Sequence, residues 1–347
     1  MLLRKIPDKP RYDRTLKIAQ NFIIQENINK LPIDPFAIAI NNKWGVEKSG
    51  DIAKDLNFTR EYVLNKFVKS KDGSAFYCFE TKEYKIVYNE NINSLGRKRW
   101  TIIHEIGHII LKHFEDFNQT QITRGGLSEE EYKVLEQEAD FFASQVLAPP
   151  IILKSLNVSN VARLMTICGL SRQASENRYN NFIDWLKRSK TATPLEKRIL
   201  KKFYDFIHKK RCAICGHSFI LEDAKYCPIC GKRRILWGDG AMIYNDGYEL
   251  DENGRAIVCP ICVNEEINGG TYCKICGIQL INKCTKQVYD WNGNLEFECT
   301  EIAEGNARFC IHCGGETTFY VNKLLSPWDE EIKKLEVAVT LEEEIPF

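Results

Sequence analysis

The chain has 347 residues, a length for two to three domains, and its 44% apolar content is enough to build hydrophobic cores. A net charge of +1 gives no molecule-wide attraction for polyanions, so any nucleic-acid surface has to be a local patch. The opening MLLRKIPDKPRYDR is too charged for a secretory signal, and no apolar run reaches the roughly 18 residues of a membrane span.

The expectation is a cytoplasmic protein with no membrane contact, in which clustered cysteines are metal ligands rather than disulfides. Of 14 cysteines only Cys78 and Cys168 precede Cys212, and that shift marks a domain boundary near residues 190–211.

Residues 11–27 read as an amphipathic helix with Leu16, Ala19, Phe22 and Ile23 on one face. LPIDPFAIAINNKWGV gives a break and a short helix, and residues 74–89 read as two strands joined at Thr81-Lys82-Glu83. KRWTIIHEIGHIILKHF is a helical run, followed by a polar loop over 115–127. Ser128 with Glu131 forms a capping box for a helix that Pro149 and Pro150 stop after Ala148. Two helices flank Gly169 within 157–187, and Thr193, Pro194 and Glu196 open a basic helix over 194–211. Beyond it the pattern is short strands and cysteine knuckles, then an acidic tail in which Trp328 is a docking candidate.

In the first run, His104 and His108 lie one helical turn apart on one face, a spacing at which two imidazoles can grip one Zn²⁺. Glu105 is placed to act as general base on the water that zinc activates, and to carry the proton to the leaving amine. The third ligand is sought in the next helix, where Tyr132, Leu135, Ala139, Ala143 and Val146 form an apolar stripe. Glu136 falls on that stripe, and a buried carboxylate needs a partner such as a zinc ion. Asp140, one turn on, can accept the second N–H of a ligand histidine. Glu138 points roughly 160° away from Glu136 and reads as solvated. His113 reads as an exposed residue at a helix end, and Cys78 as a buried strand cysteine.

TIIHEIGHIILKH followed by LEQEADFFASQVLAPP resembles the ImmA/IrrE family of metallo-endopeptidases. The resemblance covers roughly residues 10–187, including SLNVSNVARLMTICGLSRQ, where the family often carries a helix-turn-helix-like segment. It implies His104, His108 and Glu136 as zinc ligands and Glu105 as catalytic base. It further implies a zincin-like fold and cleavage of a partner protein, typically a helix-turn-helix repressor.

The other 12 cysteines fall into sets. Cys212, Cys215, Cys227 and Cys230 have zinc-ribbon spacing, as do Cys259, Cys262, Cys273 and Cys276. Cys284, Cys299, Cys310 and Cys313 are less regular; alternatively Cys284 and Cys299 are free and the last pair binds elsewhere. Gly216, Gly231, Gly277 and Gly314 follow knuckles, where glycine tolerates positive φ. His217 and His312 read as bystanders.

The expected fold class is α+β: a zincin-like metallopeptidase domain of helices and a small sheet, then helix-turn-helix-like helices and tandem zinc ribbons. The expected bounds are 1–190 for the peptidase domain with its trailing helices, 191–211 for a basic linker helix and 212–240 for the first ribbon. A double-ribbon region spans 255–322 and an acidic tail 323–347. The expected cofactor is zinc, one catalytic ion and up to three structural.

The leading functional expectation is a regulatory zinc endopeptidase cleaving a repressor, with ribbons sensing nucleic acid or a partner. The basic helix 194–211 and Lys232-Arg233-Arg234 are a candidate DNA or RNA contact. The competing readings are a nucleic-acid- or protein-binding ribbon regulator with a non-proteolytic docking domain, and a scaffold.

Overall fold

The computed structural model describes residues 5–330 except 124, 190, 243, 245, 246 and 268, so the acidic tail beyond 330 lies outside the described residues. The chain divides into two compact units at Ile207/His208, and its class is α+β.

The first unit opens with α1 (Tyr12–Gln25), α2 (Pro35–Asn41), β1 (Gly45–Lys48), α3 (Ser49–Asp55) and α4 (Arg60–Tyr62). Asp34 caps α2 through the N–H groups of Phe36 and Ala37. A π-helical turn over Val63–Val68 leads into β2 (Gly73–Cys78) and β3 (Glu83–Tyr88). Then come α5 (Leu95–Ile110), α6 (His113–Phe117), α7 (Glu129–Leu147) and α8 (Pro150–Ser155). α9 (Val161–Cys168) and α10 (Arg172–Arg188) flank Gly169 as expected, and α11 (Pro194–Lys202) and α12 (Tyr204–His208) follow.

The sheet order is β1-β3-β2, with β1 parallel and β2 antiparallel to β3. β2 is therefore an edge strand, touched on its free side by a bridge from Phe76 to Gln121. β3 carries the buried run Ile86, Val87 and Tyr88, and α5 packs on this sheet.

α7 packs against both α5 and α1. Its expected stripe is in place, with Leu135, Ala139, Ala143 and Val146 fully buried. A second face, including Val134, Glu138, Phe142 and Gln145, is buried as well. A helix covered on two sides has no fully solvated face at its centre.

The helix expected over 194–211 is instead two helices and a strand. The capping box of Thr193 and Glu196 forms as expected. After Lys202 the chain breaks at Phe203, whose ring is buried and lies 6.0 Å from that of Phe206. Lys209–Cys212 then becomes β4, the middle strand of a ladder, which gives its backbone partners on both sides.

The second unit contains β4, β5 (Ser218–Ile220), β6 (Ile235–Trp237), the hairpin β7 (Gln287–Tyr289) and β8 (Leu295–Glu298), and α13 (Thr318–Val321). Its cores are small and rich in sulfur. One gathers Cys212, Cys215, Cys227 and Cys230 with Phe219, Ile229 and Tyr244, and Trp328 packs at its edge. Cores of this size leave folding to rely on metal.

The first cysteine set is joined to the third across a long stretch of chain. The Tyr226 N–H donates to the Ile311 carbonyl at 2.9 Å and the Phe309 N–H donates to the Pro228 carbonyl at 2.9 Å. The glycines obey the same two-fold relation. A Cβ at Gly231 would lie 2.7 Å from Phe309, and one at Gly314 2.7 Å from Tyr226. Both glycines also have positive φ, so each position excludes a side chain twice over.

Candidate metal centre

α5 is capped by Ser94, which accepts the Arg97 N–H, and carries His104, Glu105 and His108 into a cleft of about 350 Å³. The helix can approach α7 closely because residue 107 is glycine. A Cβ there would lie 3.1 Å from Phe142 and 3.4 Å from the Ala139 backbone. That approach sets Glu136 of α7 opposite the two imidazoles.

The donor atoms of the three side chains lie within 4.8 Å of one another. His104 Nε2 and His108 Nε2 are 3.1 Å apart; Glu136 Oε2 is 3.5 Å from the first and Oε1 is 3.3 Å from the second. A tetrahedral zinc with ligand bonds of about 2.0–2.1 Å has edges of about 3.3 Å. The donor set and its spacing fit zinc, and all three side chains line the cleft. Burial works against a charge on His104, but hydrogen bonds to Asp140 and Glu136 outweigh it and hold the ring well above the ordinary imidazole value. Burial pushes Glu136 up, yet hydrogen bonds to both imidazoles hold it well below the ordinary carboxylate range.

Each histidine has an acceptor behind it. His104 Nδ1 lies 2.9 Å from Asp140 Oδ1, the arrangement expected of Asp140. His108 Nδ1 lies 2.9 Å from His113 Nδ1, and His113 Nε2 lies 3.1 Å from Glu138 Oε2. Arg11 closes this chain, its Nε and Nη2 each donating to Glu138 at 2.8 Å.

Burial holds His113 down to about 3, so its ring is neutral. Burial raises Glu138, but Arg11 and His113 bring it down to about 2, so it is ionised. His113 Nε2–H then donates to Glu138, and its Nδ1 lone pair accepts His108 Nδ1–H. Both ligand histidines thereby present an Nε2 lone pair to the site.

These contacts correct two expectations. His113 is fully buried rather than exposed, because α5 stops at Ile110 and Lys112 takes a left-handed conformation, φ 62°, that turns the chain back into the unit. Glu138 is fully buried rather than solvated, because α1 covers that face of α7 and brings Arg11 to it. Nothing local in the sequence marked either residue; the remaining signal was one more histidine shortly after HEIGH.

Glu105 is buried and its Oε2 accepts the Ala75 N–H of β2 at 2.7 Å. Burial raises its carboxyl, partly offset by the two imidazoles, which suits a proton acceptor. The same cleft is lined by Ser70, Gly73 and Ser74 at the start of β2, and by Trp100 and Tyr132. Cys78 does not line it; it is exposed at the end of β2, where the strand gives way to a turn, rather than buried as expected.

All three cysteine sets close into tetrads, including the irregular Cys284, Cys299, Cys310 and Cys313. Sulfur pairs stand 3.5 and 3.6 Å apart in the first tetrad and again in the second, and 3.4 and 3.8 Å apart in the third. Zinc–sulfur bonds of about 2.3 Å imply tetrahedral edges of about 3.8 Å. The Ile214 and Lys286 N–H groups donate to Cys212 and Cys284 sulfur at 3.4 Å. His217 and His312 stand outside the tetrads.

Residues 61–174 match the family model described as the IrrE N-terminal-like domain, of the M78 peptidases. That span is a metallopeptidase-like domain. The matched IrrE-like segment contains His104, Glu105, His108 and Glu136, together with Asp140, His113 and Glu138, whereas Arg11 lies before it. No curated protein matches the chain. Among the described residues no helix is long and apolar enough to cross a membrane.

Proposed function

We propose that the protein is a zinc-dependent endopeptidase that cleaves a regulatory protein, specifically a helix-turn-helix transcriptional repressor. The observation that carries this reading is the His104–His108–Glu136 triangle with the Glu105 carboxylate in the same cleft. His104, His108 and Glu136 would hold the ion, and a bound zinc supplies Lewis acidity that acidifies water and polarises a carbonyl. Glu105 takes the proton of the attacking water and returns it to the leaving amine. Asp140, and His113 with Glu138 behind it, keep the two imidazoles in the ligating tautomer.

The test is incubation of the zinc-loaded chain with purified helix-turn-helix repressors from the same genome, beginning with any encoded beside its gene, followed by mass spectrometry of the products. Wild-type protein should cut at a defined bond and the Glu105→Gln variant should not. Cleavage retained by pure Glu105→Gln protein would overturn the assignment.

The ribbon unit is assigned a sensing role. The hairpin β7–β8 supports a binding surface: Trp291 at its tip is 93% exposed, and Tyr289, Leu295 and Phe297 are exposed beside it. The basic stretch lends less support to a nucleic-acid contact, since Lys209 pairs with Asp239 at 2.6 Å and Lys202 donates to Asn27 at 2.5 Å. A binding regulator without proteolysis is the alternative, and it predicts repressor binding that is indifferent to Glu105.

A further inference from the structure

The metal cleft does not end at the metal. It shares Trp100 and Asp140 with a second cavity of about 560 Å³ that runs between α1, α7 and α10. That cavity shares Leu16, Trp185 and Arg188 with a third, of about 800 Å³, which reaches Thr193 and Pro194 at the start of α11. All three lie within the first unit and are neighbours through these shared wall residues, leading in order away from Glu105.

The walls of the middle section combine two chemistries. Tyr12, Phe141 and Trp185 present ring surface; Tyr12 remains 45% exposed although its ring meets Phe141 edge-on at 5.0 Å. Gln137, Asn177 and Asn181 add amide side chains along the same cavity. Rings that pack without specifying polarity, beside amides able to pair with backbone N–H and C=O groups, suit an extended polypeptide. A buried guanidinium ties two of its walls together. Arg178 is 3% exposed and its Nε and Nη2 donate to the Ala148 carbonyl at 2.9 and 2.7 Å, which fastens α10 to the C-terminal end of α7.

We propose that a substrate polypeptide passes from the metal cleft over Trp100 into this groove, and that a large apolar side chain, aromatic or leucine-like, seats between Phe141 and Trp185 at a fixed distance from the scissile bond. The proposal rests on the endopeptidase reading and deepens it by naming a specificity subsite. The occupant follows from the wall, Trp100 and Asp140, that the groove shares with the cleft. The competing explanation is ordinary helix packing around Phe182 and Trp185, whose rings stack at 6.2 Å.

The experiment uses a synthetic peptide library of mixed sequence with the full zinc-loaded chain, cleavage sites being read by mass spectrometry. The same library is applied to the Glu105→Gln chain to read retention without cutting. Trp185→Ala removes the far wall. Asn181→Trp blocks the groove from an exposed rim position, so a folding defect in the first variant does not decide the outcome. Wild type should prefer Phe, Tyr, Trp or Leu over Ala at one fixed position by roughly tenfold or more, the scale of discrimination an apolar pocket gives. Both variants should lose that preference. Cutting that depends on Glu105 but shows no positional preference, or a preference that survives both variants, overturns the groove and leaves the peptidase reading standing. If nothing is cut, the peptidase reading fails, and retention decides the groove. Apolar peptides held by Glu105→Gln and released by a further Asn181→Trp change support it; no retention overturns it.

Discussion

His113 receives His108 inside the protein: the two Nδ1 atoms lie 2.9 Å apart, and neither ring has appreciable contact with solvent. A ligand histidine is thus oriented by a second histidine, itself oriented by Glu138 and Arg11. His113→Ala and Glu138→Gln should each weaken zinc binding at this centre by about 10–100-fold, the usual cost of losing an outer partner. The double variant should lose little more than either single one, because the groups act in series. Competition with a chromogenic chelator reads the affinity; unchanged affinity in both single variants would remove the relay.

Glu105 accepts a backbone N–H from Ala75 but belongs to no donor triangle. Glu105→Gln keeps the shape and loses the base. Turnover should fall by at least about 10²–10⁴-fold, while zinc content at the His–His–Glu centre stays that of wild type. Metal analysis alongside repressor cleavage checks both halves, and a parallel loss of metal and activity would reassign Glu105 to binding.

Metal counting tests the tetrads together. The ligand sets call for about four zinc ions per chain, one at His₂Glu and three at Cys₄. Finding three or fewer would remove a site. Cys299→Ser should lose one ion and also loosen the first tetrad, since the third is joined to it through Tyr226–Ile311 and Phe309–Pro228. Chelation should unfold the second unit and spare most of the first, whose apolar core includes Phe22, Ile86, Ile102 and Phe142. Circular dichroism under increasing chelator separates the two losses.

Acid should reveal Glu90, which does not line the metal cleft. Burial raises this carboxyl, but its own backbone N–H, the Ser49 hydroxyl, the Gly50 N–H and Arg60 outweigh it and lower it below the ordinary value of 4.5. A carboxyl lowered by folding adds stability above its unfolded pKa and loses it as pH falls through the folded one. Wild type should therefore lose the advantage it holds over Glu90→Gln as pH drops below about 4.5. At neutral pH the gap should be roughly 1.5–3 kcal/mol, the range for hydrogen bonds to a charged group. Urea unfolding of both proteins at pH 7 and pH 4 measures the difference. Equal stability at pH 7 would contradict the assignment.

What the sequence disclosed was what neighbours along the chain determine. The capping boxes at Ser128 and Thr193 form as the local pattern predicts, and so does the helical face that brings His104 and His108 together. Glu136 was legible because one apolar stripe indicates one buried face. Glu138 was not, because its partner Arg11 is 127 residues away and a second covered face leaves no simple periodicity. His113 escaped because a left-handed lysine, not a glycine or asparagine, makes the turn that buries it. The tetrads followed from cysteine spacing, but which tetrads pair depends on backbone bonds between residues 226–228 and 309–311.

That pairing also sets an order of completion during synthesis. The knuckle at Cys227–Cys230 is closed by the Ile311 carbonyl and the Phe309 amide, which leave the ribosome only after the middle ribbon and the hairpin have been made. Until then the first tetrad has its four sulfurs but not its second half. The growing chain carries a metal-competent fragment with an open backbone edge, and only the arrival of the last knuckle turns it into a closed domain.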